Sequence, residues 1–253
     1  MTRRELRAPD AFQRAGLEAR AWISSRPAVV VGAVAVLLLA GFGVATGKMM
    51  SDKREARARE ELSHALAILS RPLQADLPPG TPSDEPPFKT EQERDQAAAT
   101  ALQSVRTSFP HSRAAVTATL PLASVEVRLG QLDPAIGHFE DYLRGAPAGE
   151  TLRTAALDGL GHAREAKGEL PQALDAYERM AREESSGFLA GMGAFHRARM
   201  LAALGKKQEA AQAFAELIAA NPGTPAARLG QERLSALEAE GFKAVVAAKP
   251  DAG

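Results

Sequence analysis

The sequence contains no cysteine, one tryptophan and two tyrosines, and it carries no excess of either charge. Without cysteine, disulfide bonds, thiolate catalysis, thiolate metal sites and a lipidated N-terminal cysteine are excluded, although the compartment is not identified. The 31 basic and 31 acidic residues balance, so the dominant basic surface that nucleic acid requires is not expected. Alanine, leucine and glutamate are abundant, and no stretch after residue 50 alternates valine, isoleucine or threonine. The composition therefore predicts an all-α protein.

The motifs that mark common enzymes are also missing. The chain has no GxGxxG, no P-loop, no GxSxG and no HExxH. No two histidines stand three or four residues apart, so a metal-binding pair on one helix is not expected. The five histidines are His64, His111, His138, His162 and His196. We therefore predict no catalysis, no cofactor, no metal site and no small-molecule substrate. An enzyme with an unrecognised site is the alternative, and it would need titratable residues of perturbed pKa in a closed pocket.

A long apolar run is the strongest single feature of the sequence. Residues 27–47 contain no Asp, Glu, Lys, Arg or His, and Arg26 and Lys48 flank them. At about 1.5 Å per residue, a helix of this length covers about 31 Å, close to the hydrocarbon thickness of a bilayer. A buried core helix would show a polar face, and a signal peptide would have a shorter basic segment and a shorter apolar core. We therefore predict a single transmembrane helix over residues 27–47, in contact with membrane lipid.

The segment before this run is basic. Residues 1–26 carry six arginines and three acidic residues, whereas the chain after the run carries 25 basic and 28 acidic residues. Phe12, Leu17 and Trp22 make a rough apolar stripe, which predicts a partly amphipathic helix at the membrane interface; a loosely ordered tail is the alternative. The basic residues nearest the run slightly favour a cytoplasmic C-terminal side, but long domains can override this bias. Charge alone leaves the orientation open.

One helix and a proline-rich segment follow the predicted anchor. Residues 51–70 place Leu62, Leu66 and Leu69 on one face and are predicted to be the first helix of the soluble domain. Six prolines fall within residues 71–89. Because proline removes a backbone donor and blocks a helix, this segment is predicted to be an irregular loop. A surface insertion is the preferred interpretation, and a proline-rich docking peptide is the alternative.

Residues 90–222 repeat with a period of 37 or 38 residues. In each unit an alanine is followed four residues later by a large apolar residue: Ala98 and Leu102, Ala135 and Phe139, Ala173 and Tyr177, Ala210 and Phe214. Twelve residues after the alanine stand Pro110, Pro147, Ser185 and Pro222. Five residues before the last three alanines stand Gly130, Gly168 and Gly205.

This pattern is typical of stacked helical hairpins. Glycine permits the turn, the small alanine lets the second helix approach the first, the aromatic fills the space beneath, and proline stops the second helix. The positions match the tetratricopeptide (TPR) pattern, although its period is shorter. The expected helix-A aromatic is replaced by Thr119, Leu157 and Ala194, whereas the small residue four positions later is present as Ala123, Gly161 and Ala198. We predict a TPR-like α-solenoid over residues 90–222, a capping helix over 223–241 and a disordered tail over 242–253.

The opening residues carry a further resemblance. The stretch from Arg4 to Phe12 reads RELRAPDAF, and Trp22 and a single apolar run follow it. This layout resembles the ancillary subunits of the bacterial SecYEG translocon, whose repeat domain is shared with cell-division coordinator proteins of the periplasm. The resemblance implies a single-pass protein of the bacterial inner membrane, with a cytoplasmic N-terminus and periplasmic repeats. It also implies a role beside the translocon, binding exported polypeptides or handing them to periplasmic chaperones.

With no catalysis expected, the function is predicted to lie in a surface for protein partners. In such stacks the first helix of each hairpin lines the concave side, so positions counted back from each turn glycine predict a groove. The predicted groove residues are Leu120, Ser124, Asp158, His162, Glu165, Met192, Phe195 and Arg199. Apolar members would anchor an extended or helical polypeptide, and charged members would set its register. An envelope-assembly or cell-division factor with the same fold and a scaffold facing the cytoplasm are the alternatives.

Overall fold

The computed structural model describes residues 11–78, 86–183 and 190–245. Within these ranges the chain is helical, with one isolated bridge between Leu73 and Phe88 as its only strand-like pairing. The all-α prediction is therefore confirmed. The helices are α1 (Ala11–Ser25), α2 (Pro27–Ser70), α3 (Glu91–Ser108), α4 (Arg113–Arg128), α5 (Leu132–Gly145), α6 (Thr151–Ala166), α7 (Leu170–Glu183), α8 (Met192–Ala203), α9 (Lys207–Ala220) and α10 (Pro225–Ala239). The N-terminal motif up to Asp10, residues 79–85 of the proline-rich segment, and Ser185 lie outside the described residues.

The chain divides into two units, Met1–Ala56 and Arg57–Gly253. In the first unit, the described side chains of the apolar run other than Thr46 are exposed, and Leu37, Leu39 and Phe42 are each at least 70% accessible. By length and composition, one helix of the described chain, Ala35–Ser70, could cross a membrane. The apolar run is therefore not a core helix of this protein.

The second helix differs from its prediction. The sequence predicted two helices, over residues 27–47 and 51–70, whereas the structure has one continuous helix, α2. The physical reason is local: Lys48, Met49 and Met50 are good helix formers, and no proline interrupts the junction.

The second unit begins with the C-terminal part of α2 and the described ends of the proline-rich segment. Ala58, Leu62, Ala65 and Ile68 are buried in one cluster with residues of α3 and α4. The described residues that follow, up to Pro78, are irregular apart from the short 3-10 turn Gln74–Asp76 and the bridge residue Leu73. The N–H of Gln74 donates to the carbonyl of Phe88 at 2.8 Å, and the Arg71 guanidinium lies 4.5 Å from the Phe88 ring. These contacts fix the two ends of the segment against each other before α3 starts at its Thr90 cap.

Turn glycines end the first helix of each hairpin. Gly130, Gly168 and Gly205 have φ angles of 73°, 83° and 79°, a left-handed backbone that other residues rarely adopt. At the last of these turns, Lys206 N–H donates to the Leu201 carbonyl and Gly205 N–H donates to the Ala202 carbonyl, which is the Schellman arrangement. Gly241 ends α10 in the same way. The helix α10, which follows the last full hairpin, therefore ends in the same way as the first helices of the hairpins.

The repeated positions form the core of the second unit. The four repeated alanines, Ala98, Ala135, Ala173 and Ala210, are fully buried. The residues four positions later are at most 1% exposed: Leu102, Phe139, Tyr177 and Phe214. The close approach that the pattern predicts is visible at Gly161, where a Cβ atom would lie 2.4 Å from a ring carbon of Tyr177. The prediction of stacked TPR-like hairpins is confirmed.

The hairpins stack with their first helices side by side. Each helix from α3 to α10 packs against its neighbour in the chain, and in addition α4 contacts α6 and α8 contacts α10. Arg199 of α8 also pairs with Glu165 of α6, so the first helices α4, α6, α8 and α10 form one layer. The second helices α5, α7 and α9 lie on the other side of their hairpins.

The chain after α10 differs from the predicted disordered tail in its first residues. Phe242 to Val245 lie along α9, where the Val245 N–H donates to the Gln212 side chain at 2.9 Å. The Gln208 side chain in turn donates to the Lys243 carbonyl at 2.7 Å. Phe242 packs on the last core cluster, and this contact holds the first residues of the predicted tail against the stack. Residues 246–253 lie outside the described residues.

Candidate functional site

Three side chains from two first helices meet at the centre of the stack. Asp158 and His162 lie one turn apart on α6, and His196 lies on α8. Asp158 Oδ1 is 3.5 Å from His162 Nε2 and 3.7 Å from His196 Nε2. We call these three residues the Asp–His cluster. Its donor atoms all lie within 4.8 Å of one another.

An aromatic residue of α7 forms the floor of the Asp–His cluster. The Tyr177 ring stacks on the His196 ring with centroids 4.8 Å apart, and it meets the His162 ring edge-on at 5.8 Å. The two histidine rings are themselves in edge contact at 5.1 Å. Tyr177 is the large residue of the repeat pattern, so the same side chain that fills the hairpin core also supports the cluster.

An ion pair borders the Asp–His cluster on one side. Arg199 of α8 donates through both terminal nitrogens to the carboxylate of Glu165 on α6. The Tyr177 hydroxyl donates to the same carboxylate at 3.3 Å. Arg199 also lies 3.2 Å from His196 Nδ1. Because a guanidinium only donates, Nδ1 accepts this bond, and the proton of a neutral His196 stays on Nε2.

Burial and these neighbours set the charge states of the site. Burial, with Arg199 beside the ring, lowers the pKa of His196 to about 4, so His196 is neutral at pH 7. Burial raises the pKa of Asp158, whereas the hydrogen bond from Arg199 lowers the pKa of Glu165. Burial also raises the pKa of Tyr177. Glu165 and Arg199 form a paired carboxylate and guanidinium beside the Asp–His cluster.

The carboxylate of Asp158 is not fully satisfied. Its Oδ1 atom is buried and has no hydrogen-bond partner, because both histidine nitrogens stand too far away. A buried carboxylate oxygen without a partner is rare in folded proteins, and each case calls for an explanation.

The structure brings together only part of the predicted groove. Asp158, His162, Glu165 and Arg199 form one polar patch on α6 and α8. Leu120 is half-buried against the core, and the Ser124 hydroxyl donates to the Leu120 carbonyl within α4. Met192 is half-buried between two core clusters.

Phe195 has a different place from the one its position in the repeat suggests. It is only 7% exposed and packs 5.9 Å from the Phe214 ring and 5.4 Å from the His196 ring. Phe195 belongs to the core of the last hairpin, so neighbouring residues, and not Phe195 itself, form the surface at this point of the predicted groove.

Sequence reasoning missed His196 and the meeting of the two helices. A search for histidines at i+3 or i+4 detects only pairs on one helix, whereas this cluster joins two. A signal was available: Asp158, His162 and His196 stand ten, six and nine residues before their turn glycines, so adjacent first helices carry them at similar heights.

A second polar contact ties three helices together away from the cluster. Arg153 of α6 donates to both carboxylate oxygens of Glu183 on α7, at 2.7 and 2.9 Å. It also donates to the carbonyls of Leu143 and Ala146 at the end of α5, at 2.8 and 2.7 Å. The Arg153 side chain is 12% exposed, so this contact is structural.

Comparison with known proteins agrees with this fold. The tetratricopeptide repeat family matches residues 194–224, which cover most of α8 and all of α9. The nearly identical TPR-like repeats of a Podosopora anserina protein superpose with a TM-score of 0.54 and 17% identity, over 74% of this chain and 88% of theirs. A variant of those repeats gives the same score and coverage at 18% identity. A tetratricopeptide repeat protein from Parabacteroides merdae gives a TM-score of 0.49 at 19% identity, over 59% of this chain and 56% of that one.

No curated protein matches the sequence. The fold and the matched repeat nevertheless define the class: the chain carries a TPR-like solenoid, a type of scaffold suited to binding other proteins.

Proposed function

We propose that this protein is a membrane-anchored scaffold that binds protein partners through the first-helix layer of its TPR-like repeats. The observation that carries this proposal is the joining, in one chain, of an exposed apolar helix of spanning length and a stack of helical hairpins. TPR-type repeats are generally scaffolds and not enzymes.

The chemistry of the first-helix layer suits a polypeptide. Leu120, Val127 and Met192 are half-buried apolar residues of this layer, so each offers part of its surface to a partner. The exposed His162 and the carboxylate of Asp158 add hydrogen-bonding groups beside them. An extended or helical segment with apolar anchors and a basic or hydrogen-bond-donating residue fits this combination.

The proposed location is the bacterial inner membrane. The apolar helix would span the bilayer, the N-terminus would lie in the cytoplasm and the repeats in the periplasm. The support is the length and composition of the helix together with the resemblance of the opening residues to ancillary translocon subunits. On that resemblance we propose a position beside SecYEG, where the repeats bind exported polypeptides or pass them to chaperones.

The orientation is tested by cysteine labelling, which the natural absence of cysteine makes clean. Single cysteines are introduced at Thr2 and at Ser51, and intact cells are treated with a thiol reagent that does not cross the inner membrane. Labelling at position 51 but not at position 2 is expected. Labelling at position 2 alone would reverse the proposed topology.

The position beside the translocon is tested by photocrosslinking from the apolar helix. A photoreactive residue replaces Leu38 or Phe42, whose side chains are exposed. Adducts with translocon subunits in the membrane are expected. Adducts only with envelope-assembly or division proteins would favour the alternative scaffold, and would leave the protein-binding role intact while rejecting the translocon role.

A further inference from the structure

We propose that Asp158, His162 and His196 bind a divalent transition-metal ion of the zinc type. This site lies within the first-helix layer, but it does not depend on the proposed function, since three donor atoms and their geometry form it. Nothing in the repeat pattern requires these residue types at these positions, because the equivalent positions of α4 carry Leu120 and Ser124.

The donor set is one that zinc accepts. Two imidazoles and one carboxylate supply three protein ligands, as in zinc sites that keep a fourth position open. Imidazole donors favour zinc, copper, nickel or iron, whereas calcium and magnesium prefer sites built from oxygen alone. Since the protein has no cysteine, no thiolate site competes with this cluster for a soft metal.

The separations match a coordination sphere better than they match hydrogen bonds. Zinc–ligand bonds of about 2.0–2.1 Å at tetrahedral angles place neighbouring donors about 3.4 Å apart. The observed separations from Asp158 Oδ1 are 3.5 and 3.7 Å, longer than ordinary hydrogen bonds. All three donor atoms lie within 4.8 Å, and the exposed ring of His162 can turn to close the remaining gap.

The unsatisfied oxygen of Asp158 gives an independent reason for a cation. Oδ1 is the atom that both histidine nitrogens face, and it is buried without a hydrogen-bond partner. A metal ion at the centre of the three donors would satisfy this oxygen. Tyr177 closes the site from below, so the ion would enter from the open side of the layer.

The neighbouring Glu165–Arg199 ion pair opposes metal binding, so its removal should strengthen binding where loss of a ligand should weaken it. Arg199 donates to His196 Nδ1, which keeps the ring proton on Nε2, the atom that would bind the metal. Metal binding therefore requires the ring proton of His196 to move from Nε2 to Nδ1. It also requires Arg199 to give up its hydrogen bond to Nδ1. Replacing Arg199 by glutamine would leave an oxygen, or the freed Glu165, to accept from Nδ1, as acceptors do around metal-bound histidines.

The experiment measures zinc binding to the full-length protein in detergent, purified with a tag that contains no histidine. Calorimetry should find one zinc ion per chain, and cobalt in its place should give the visible absorption of a four- or five-coordinate site. Magnesium and calcium should not displace it. Asp158→Asn and His162→Gln should each weaken zinc binding by at least about tenfold, whereas Arg199→Gln should tighten it by about tenfold.

The control variant is His138→Gln. His138 is also paired with a carboxylate, Glu126 at 2.7 Å, but among the described residues no third donor joins this pair, so its replacement should leave zinc binding unchanged. Asp158 and His162 are chosen because they are partly exposed, and far-UV circular dichroism verifies that the variants fold. Absence of stoichiometric binding, or equal zinc affinity in wild type and folded His162→Gln, would overturn the proposal.

Discussion

Replacement of Gly161 by alanine tests the packing on which the repeat depends. A Cβ atom at this position would lie 2.4 and 2.6 Å from two ring carbons of Tyr177, where ordinary contact needs about 3.5–4.0 Å. Tyr177 is fully buried, and its ring is held by His196 on one face and His162 at the edge. The ring therefore cannot swing away, and α6 and α7 must separate by about 1 Å or more.

The expected cost follows from two opposing terms. Overpacking a core costs about 1–3 kcal/mol, whereas glycine to alanine inside a helix gains about 0.5–1 kcal/mol. We expect a net loss of about 1–2 kcal/mol. For a chain of this size, that corresponds to a melting temperature lower by about 2–8 °C.

Thermal unfolding followed by far-UV circular dichroism measures this effect, with Gly137→Ala as the matched control. Gly137 lies inside α5, and a Cβ atom there would meet nothing within 4 Å, so this change should raise the melting temperature slightly. A Gly161→Ala protein that melts as high as Gly137→Ala would refute the close approach of α6 to Tyr177.

The remaining predictions concern the contact that joins α5, α6 and α7. Arg153→Ala removes four hydrogen bonds from a mostly buried guanidinium and should lower the free energy of unfolding by about 1.5–3 kcal/mol in a urea titration. Arg144→Ala is the control: it breaks an exposed pair with Asp141 and should cost at most about 0.5 kcal/mol. Arg153 lowers the pKa of Glu183 below its ordinary 4.5, so the pair stabilises the protein above that pH and loses its effect as the pH falls further. Acid titrations should show a smaller loss of stability below pH 4.5 in Arg153→Ala than in wild type; parallel curves would contradict the linkage.

The repeat core could be predicted because single residues there face strict physical demands. Gly130, Gly168 and Gly205 adopt a backbone that other residues disfavour, and the alanines and aromatics alternate as small and large members of one interface. Such demands recur at a fixed spacing, so four units of sequence are enough to detect them.

Other features of the structure depend on contacts between helices, which the spacing of residues along the sequence does not show. The continuity of α2 depends on Lys48, Met49 and Met50, which favour a helix but form no recognisable sequence motif. The burial of Phe195 depends on Phe214, which lies on another helix. The Asp–His cluster joins α6 to α8 across 34 residues of sequence. These features become visible only when the first helices are laid side by side.

One crosslinking comparison tests the protein-binding role most directly. A photoreactive residue is placed at Ala155, an exposed position of the first helix α6, and in a second protein at Gln172, an exposed position of the second helix α7. Illumination of cells should give discrete protein adducts from position 155 and not from position 172. Equal adducts from both positions, or none from position 155, would contradict a binding surface on the first-helix layer.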